Sequence, residues 1–142
     1  MLGLGVGRDL HESVIMSTVL VVEDNLTQQQ VLSWVLKKMG LTVIVANDGV
    51  EALEKVNIYS PDLVVLDIIL PRMNGYEVCR RLRSDVKTQN LPVVMCSAKK
   101  EEFDRYWGIK QGANAYLTKP YETEKIVETV KSLLQKTRQP VR

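Results

Sequence analysis

The stretch Leu63-Val64-Val65-Leu66-Asp67 is an unbroken apolar run that stops at a bare carboxylate. Three more segments have the same form. Val19-Leu20-Val21-Val22 ends in Glu23-Asp24, Pro92-Val93-Val94-Met95-Cys96 ends in Ser97, and Ala115-Tyr116-Leu117-Thr118 ends in Lys119. Apolar runs this short predict strands covered on both faces, as in a parallel sheet. Parallel strands present their chemistry at their carboxyl ends, so the four endings should converge on one crevice. Three acids, a hydroxyl and a lysine would meet there. Such a set suits a divalent cation and a phosphoryl group.

Working outward, strand and helix signals alternate from Thr18 with short connections. Helix one is predicted over 26–38, with Val31, Leu32, Val35, Leu36 and Met39 at helical spacing, and Gly40 stops it. Strand two covers 41–46. Asp48, with Glu51 three residues on, caps a second helix over 49–58, which Ser60-Pro61-Asp62 terminates. Pro71 and Asn74-Gly75 turn the chain into a third helix over 76–84. A fourth helix covers 101–111 before Gly112. A fifth covers 122–135, with Ile126, Val127, Val130, Leu133 and Leu134 on one face. Five such units imply an α/β fold with a doubly wound, five-stranded parallel sheet of the flavodoxin-like kind. Right-handed crossovers give strand order 2-1-3-4-5, with the switch point between strands one and three. The expected layout is an amino-terminal extension over 1–17, one domain over 18–136 and a tail over 137–142.

Composition narrows the function classes. The 142 residues are 45% hydrophobic and 25% charged, which fits one ordinary domain. The net charge of +2 comes without a basic block, so nucleic acid is not the expected ligand. No apolar stretch approaches the roughly 18 residues of a membrane helix, and residues 1–15 do not form a secretory signal. Cys79 and Cys96 have neither metal-ligand nor disulfide-framework spacing, so they read as reduced structural thiols of a cytoplasmic protein. Gly3, Gly5 and Gly7 imitate a phosphate loop but lack the preceding strand and the following Lys-Ser/Thr. Trp34 lies off the apolar stripe of helix one and should face outward.

Five motifs in order carry a family resemblance: Val21-Val22-Glu23-Asp24-Asn25, Asp62 to Asp67, Leu70-Pro71-Arg72-Met73-Asn74-Gly75, Ser97-Ala98 and Lys119-Pro120. The chain resembles the receiver domains of two-component response regulators, in particular the stand-alone CheY-like type, from about Thr18 to Gln135. Residues 105–113 look similar to CheY-like regulators of twitching motility and phototaxis. The resemblance implies that Asp67 is the phosphoacceptor, fed by a histidine kinase. It implies Mg²⁺ held by Asp24, Glu23 (directly or through water), Asp67 and the backbone carbonyl of Ile69. Lys119 and Ser97 would meet phosphoryl oxygens, helped by the Ala98 amide. Ser97 and Tyr116 would form the switch, with Tyr116 turning inward, and the Lys119–Pro120 bond would be cis. The chemistry is consistent: clustered carboxylates favour a cation, an oxygen-only set suits Mg²⁺, and a lysine offsets charge gathered on phosphoryl oxygens.

Each residue also has a plainer explanation. Asp67 could initiate a turn, Glu23-Asp24-Asn25 could cap a helix, Lys119 could be solvated, and Tyr116 could be an ordinary strand residue. Those explanations do not account for all the polar endings falling on one sheet edge. A haloacid-dehalogenase-type phosphatase needs an acid where Ile69 stands, so an enzyme is not expected. A flavodoxin-like carrier would be repelled by Glu23-Asp24. The output should be protein binding through the face of helix four, strand five and helix five, with Phe103, Tyr106, Trp107, Tyr116 and Tyr121 as anchors and no output domain after it. A phosphate sink or relay competing for the kinase is the alternative.

Overall fold

The computed structural model describes residues 17–138. Its elements are β1 (Thr18–Val22), α1 (Leu26–Lys38), β2 (Thr42–Ala46), α2 (Gly49–Tyr59), β3 (Leu63–Leu66), α3 (Gly75–Ser84), β4 (Val93–Ser97), α4 (Glu102–Lys110), β5 (Ala115–Thr118) and α5 (Thr123–Arg138). All four pairings are parallel and the strand order is β2-β1-β3-β4-β5, as the crossover rule requires. The α1 boundaries agree with the sequence reading, and the other helices differ by one to three residues at an end. Helix α5 runs to Arg138, two residues past the expected domain end. Residues 1–16 of the expected extension over 1–17, and the last four residues, lie outside the described part.

Alternation along the strands builds two cores. Leu20, Val22, Val64, Leu66, Val93 and Met95 face α2 and α3 through Ala52, Val56, Val78, Cys79 and Leu82. Val19, Val21, Leu63, Val65, Val94, Cys96 and Leu117 face α1 and α5 through Leu32, Leu36, Ile126, Val130 and Leu134. This explains the unbroken apolar runs: neither face of the three central strands, β1, β3 and β4, meets water. Each fully buried aliphatic side chain contributes about 1.5–3 kcal/mol of transfer free energy, so the sheet is the stable frame on which loop chemistry is mounted.

Helix ends follow local chemistry. Asn25, Asp48 and Asn74 each accept a bond from the backbone N–H three residues ahead, starting α1, α2 and α3. Gly40 leaves α1 at φ 89°, a conformation open to glycine at little cost. One expectation for α1 fails. Val31 is exposed, and the buried stripe is Gln29, Leu32, Ser33 and Leu36. The helix is rotated so that two polar residues face inward. Gln29 justifies this placement, since its Nε2 donates to the Glu23 carbonyl and to Asn47 Oδ1 at 2.8 and 2.9 Å. Trp34 faces outward as expected, with Lys38 Nζ 5.3 Å from its ring centre.

Candidate functional site

Register determines which side chains meet. Val22 pairs with both Ala46 and Leu66, and Ser97 pairs with Thr118. The residues that follow therefore emerge together at the carboxyl edge. Bonds beyond the ladder hold them there: Glu23 N–H donates to Ala46 O, Asp67 N–H to Val22 O, and Lys119 N–H to Ser97 O, at 3.1, 3.1 and 2.8 Å.

Carboxylate oxygens of Glu23, Asp24 and Asp67 all lie within 4.8 Å of one another. Glu23 and Asp67 are buried, whereas Asp24 opens to solvent. Lys119 enters from the end of the edge strand β5, its Nζ 2.6 Å from Glu23 Oε1 and 3.2 Å from Asp67 Oδ2. Asp67 Oδ1 accepts from the Ile68 N–H at 2.7 Å, with the Ile69 N–H at 3.4 Å. Glu23 Oε2 accepts from the Asn25 N–H at 3.1 Å. Gly75 lets the β3–α3 loop press against the site, because a Cβ there would lie 2.3 Å from Asp67 O.

Burial is the main influence on Asp67 and raises its carboxyl pKa. Lys119 opposes this, Glu23 adds to it, and the net direction is upward. Burial alone would lower Lys119, but the bond and charge of Glu23 and the charge of Asp67 prevail and raise it. The crevice is thus an acid cluster balanced by a single ammonium. It has an oxygen-only donor set facing an opening, the type of set a hard divalent cation takes. The Lys119–Pro120 bond is cis.

Ser97 is fully buried, and its Oγ accepts from the Lys99 N–H at 3.2 Å. Ala98 is exposed beside it and lines the groove described next. That groove, of about 560 Å³, runs from Glu23 and Asp67 past Lys119 and Pro120, between α1 and the start of α5. Ile69 is 58% exposed at the rim.

Tyr116 sits in the inward position the resemblance implies for it. Its ring is 3% exposed and already inside, with its hydroxyl donating to Lys99 O at 2.6 Å. Burial pushes its phenol up to about 12. Space for the ring comes from Gly108, where a Cβ would approach Tyr116 Cδ2 to 2.9 Å. The five proposed aromatic anchors therefore divide: Phe103, Tyr106 and Trp107 are exposed, Tyr116 is buried, and Tyr121 is half-buried against the α1–α5 core. Cys96 and Cys79 are buried free thiols, and burial pushes Cys96 up to about 12.

The sequence reading missed two residues, Gln28 and Gln29. Gln28 Oε1 accepts from Lys119 Nζ at 2.6 Å. Gln29 was detectable, since it sits three and seven residues before Leu32 and Leu36, a polar residue on the apolar stripe. Nothing in the sequence marks Gln28.

This fold, with three acids and a lysine at the switch-point edge, is the architecture of a phosphoacceptor module. Residues 19–131 match the response regulator receiver domain family, so the chain belongs to that family and is a two-component response regulator receiver. It is 35% identical over 119 residues to the protein PilH of Pseudomonas aeruginosa, covering 84% of this chain and 98% of that protein. A response regulator structure from Chloroflexus aurantiacus superimposes with a TM-score of 0.81 at 36% identity, covering 84% and 98% of the two chains. The receiver domain of a sensor histidine kinase from P. aeruginosa, solved with magnesium in its active site cleft, gives 0.78 at 26% identity, again covering 84% and 98%. Other curated relatives are longer transcriptional regulators, and the chain spans about half their length (49% and 53% in two cases). Among the described residues, no helix is long and apolar enough to cross a membrane.

Proposed function

We propose that Asp67 accepts a phosphoryl group from the phosphohistidine of a kinase and that the modified domain then binds a protein target. One observation carries the reading: a single ammonium, Lys119 Nζ, touches both Glu23 and Asp67, while an Asp24 oxygen completes the acid cluster. In the transfer, an Asp67 oxygen attacks phosphorus. The new O–P bond forms as the P–N bond to the imidazole breaks, and the departing nitrogen keeps the electron pair and is protonated. Lys119 pairs with one phosphoryl oxygen, and the Ser97 hydroxyl and Ala98 amide serve others.

The residues present fit magnesium. Glu23, Asp24 and Asp67 would hold it with the Ile69 carbonyl, and when bound it offsets charge on the transferring oxygens. The relative solved with magnesium in its cleft supports the assignment. Beyond phosphoryl acceptance and its slow loss, the domain is not an enzyme on this reading, and it works where the kinase's catalytic part does, in the cytoplasm.

Output runs through α4, β5 and α5. Phe103, Tyr106, Trp107 and Ile109 are all at least 39% exposed there. A phosphoryl group only biases conformations already accessible. The buried placement of Tyr116 supports the reading that modification stabilises an inward arrangement of this ring. The likeness to a chemotaxis protein of Vibrio cholerae, 29% identical with a TM-score of 0.78, supports a motility pathway.

The test is incubation with acetyl phosphate and Mg²⁺, followed by intact mass. Wild type should gain one phosphoryl group and Asp67→Asn none. A modified Asp67→Asn, or an inert wild type, would refute the assignment. A pull-down with and without beryllofluoride then reports the target.

A further inference from the structure

Lys119 Nζ has three hydrogens and three acceptors: Glu23 Oε1 at 2.6 Å, Gln28 Oε1 at 2.6 Å and Asp67 Oδ2 at 3.2 Å. The three differ in kind. Glu23 and Asp67 belong to the acid cluster and must change partners once a cation and a phosphoryl group enter it. Gln28 is neutral, lies on α1 outside the cluster, and has no reason to let go.

We propose that Gln28 is a positioning residue that holds the Lys119 ammonium over Asp67 while the two carboxylates are recruited elsewhere. The inference rests on the phosphoacceptor reading above and extends it to a residue on a different element. A lysine has a long, flexible stem, so an ammonium tied only to acids that are about to be occupied would have to be re-placed at each turnover. An amide oxygen is well suited to prevent that. It accepts a bond from the ammonium without adding negative charge to a site that must receive an anionic phosphoryl donor.

The contact is separable from the fold. Start of α1 relies on the backbone N–H of Gln28 bonding Asn25 Oδ1 at 2.9 Å, which any side chain at 28 preserves. The side chain itself is exposed, bridging 91 residues of sequence to reach Lys119. Methionine keeps its length and helix preference and removes only the acceptor.

Initial rates of phosphoryl uptake from acetyl phosphate at saturating Mg²⁺, read by intact mass, test the proposal in four variants: Gln28→Met, Lys119→Ala, the double variant and Asp67→Asn. Gln28→Met should slow uptake about fivefold, as the loss of one exposed bond to a charged group predicts, without lowering the melting temperature. In the Lys119→Ala background the same exchange should change the rate by less than about twofold, because Gln28 acts through Lys119. A wild-type rate for Gln28→Met, or equal losses in both backgrounds, overturns the positioning role. Uptake by Asp67→Asn is a different failure: it removes the phosphoacceptor reading, whatever the Gln28 variants do.

Discussion

The carboxyl-edge crevice and the outer face of α4 depart from ordinary burial in opposite directions. In the crevice, two carboxylates and a hydroxyl are buried, with Glu23 at 5%, Asp67 at 7% and Ser97 at 0% exposure. On α4, large apolar groups stand in water, with Phe103 and Tyr106 at 68% and 58%. Buried charge costs stability unless it is paired, and in the crevice each of these groups has a partner. Phe103 and Trp107 merely stack on each other, their ring centres 6.2 Å apart. On the proposed function, the first region performs chemistry and the second is covered by a partner. Tyr116 lies between them, its backbone carbonyl accepting from Arg105 of α4 at 2.9 Å and its hydroxyl bonded to the β4–α4 loop.

If that division is right, substitutions should separate the two regions. Asp67→Asn has the largest expected effect: complete loss of phosphoryl uptake, with retained far-UV circular dichroism and α4 surface. Gly75→Ala comes next, because its Cβ would clash with Asp67 O and Ile68 Cα at 2.3 and 2.8 Å. It should destabilise by about 2–4 kcal/mol in urea unfolding. An unchanged midpoint would mean the loop behind the crevice yields easily. Trp107→Ala should do the converse, weakening target binding about tenfold, near 1.4 kcal/mol, while uptake proceeds at the wild-type rate. Slowed uptake in that variant would show that the two regions are not separable. The smallest effect belongs to Ile69→Asn. An apolar rim residue cannot orient water by hydrogen bonding, so asparagine should shorten the phosphoryl lifetime a few-fold, roughly the value of one modest hydrogen bond. Decay no faster than wild type would remove Ile69 from the account.

Much of this was legible in the chain because strands report their chemistry through period and ending. Four apolar runs, each closed by a polar residue, imply the sheet, and the crossover rule supplies its order. Asp48 announced its helix because a capping side chain is a local signal, whereas Asn74 read only as part of a turn and its capping bond emerges in the structure. Three things were not local. Val31 looked like core because its spacing suits a helical stripe, yet Gln29 and Ser33 take the inward positions, one of them to bond a carbonyl across the β1–α1 turn. The contact between Gln28 and Lys119 depends on rotamers and on two elements meeting in space, which no spacing within α1 encodes. Tyr116 could be assigned to a switch from the resemblance, but its inward placement depends on Gly108 leaving room.

The central claim is that Glu23, Asp24, Asp67, Ser97 and Lys119 form one phosphoryl-accepting pocket. A crystal structure with Mg²⁺ and beryllofluoride tests it most directly. The account predicts fluoroberyllate on an Asp67 oxygen, contacted by Lys119 Nζ and Ser97 Oγ, with the cation among the three acids. Fluoroberyllate on any other residue, or a cation bound away from Asp24 and Asp67, would contradict it.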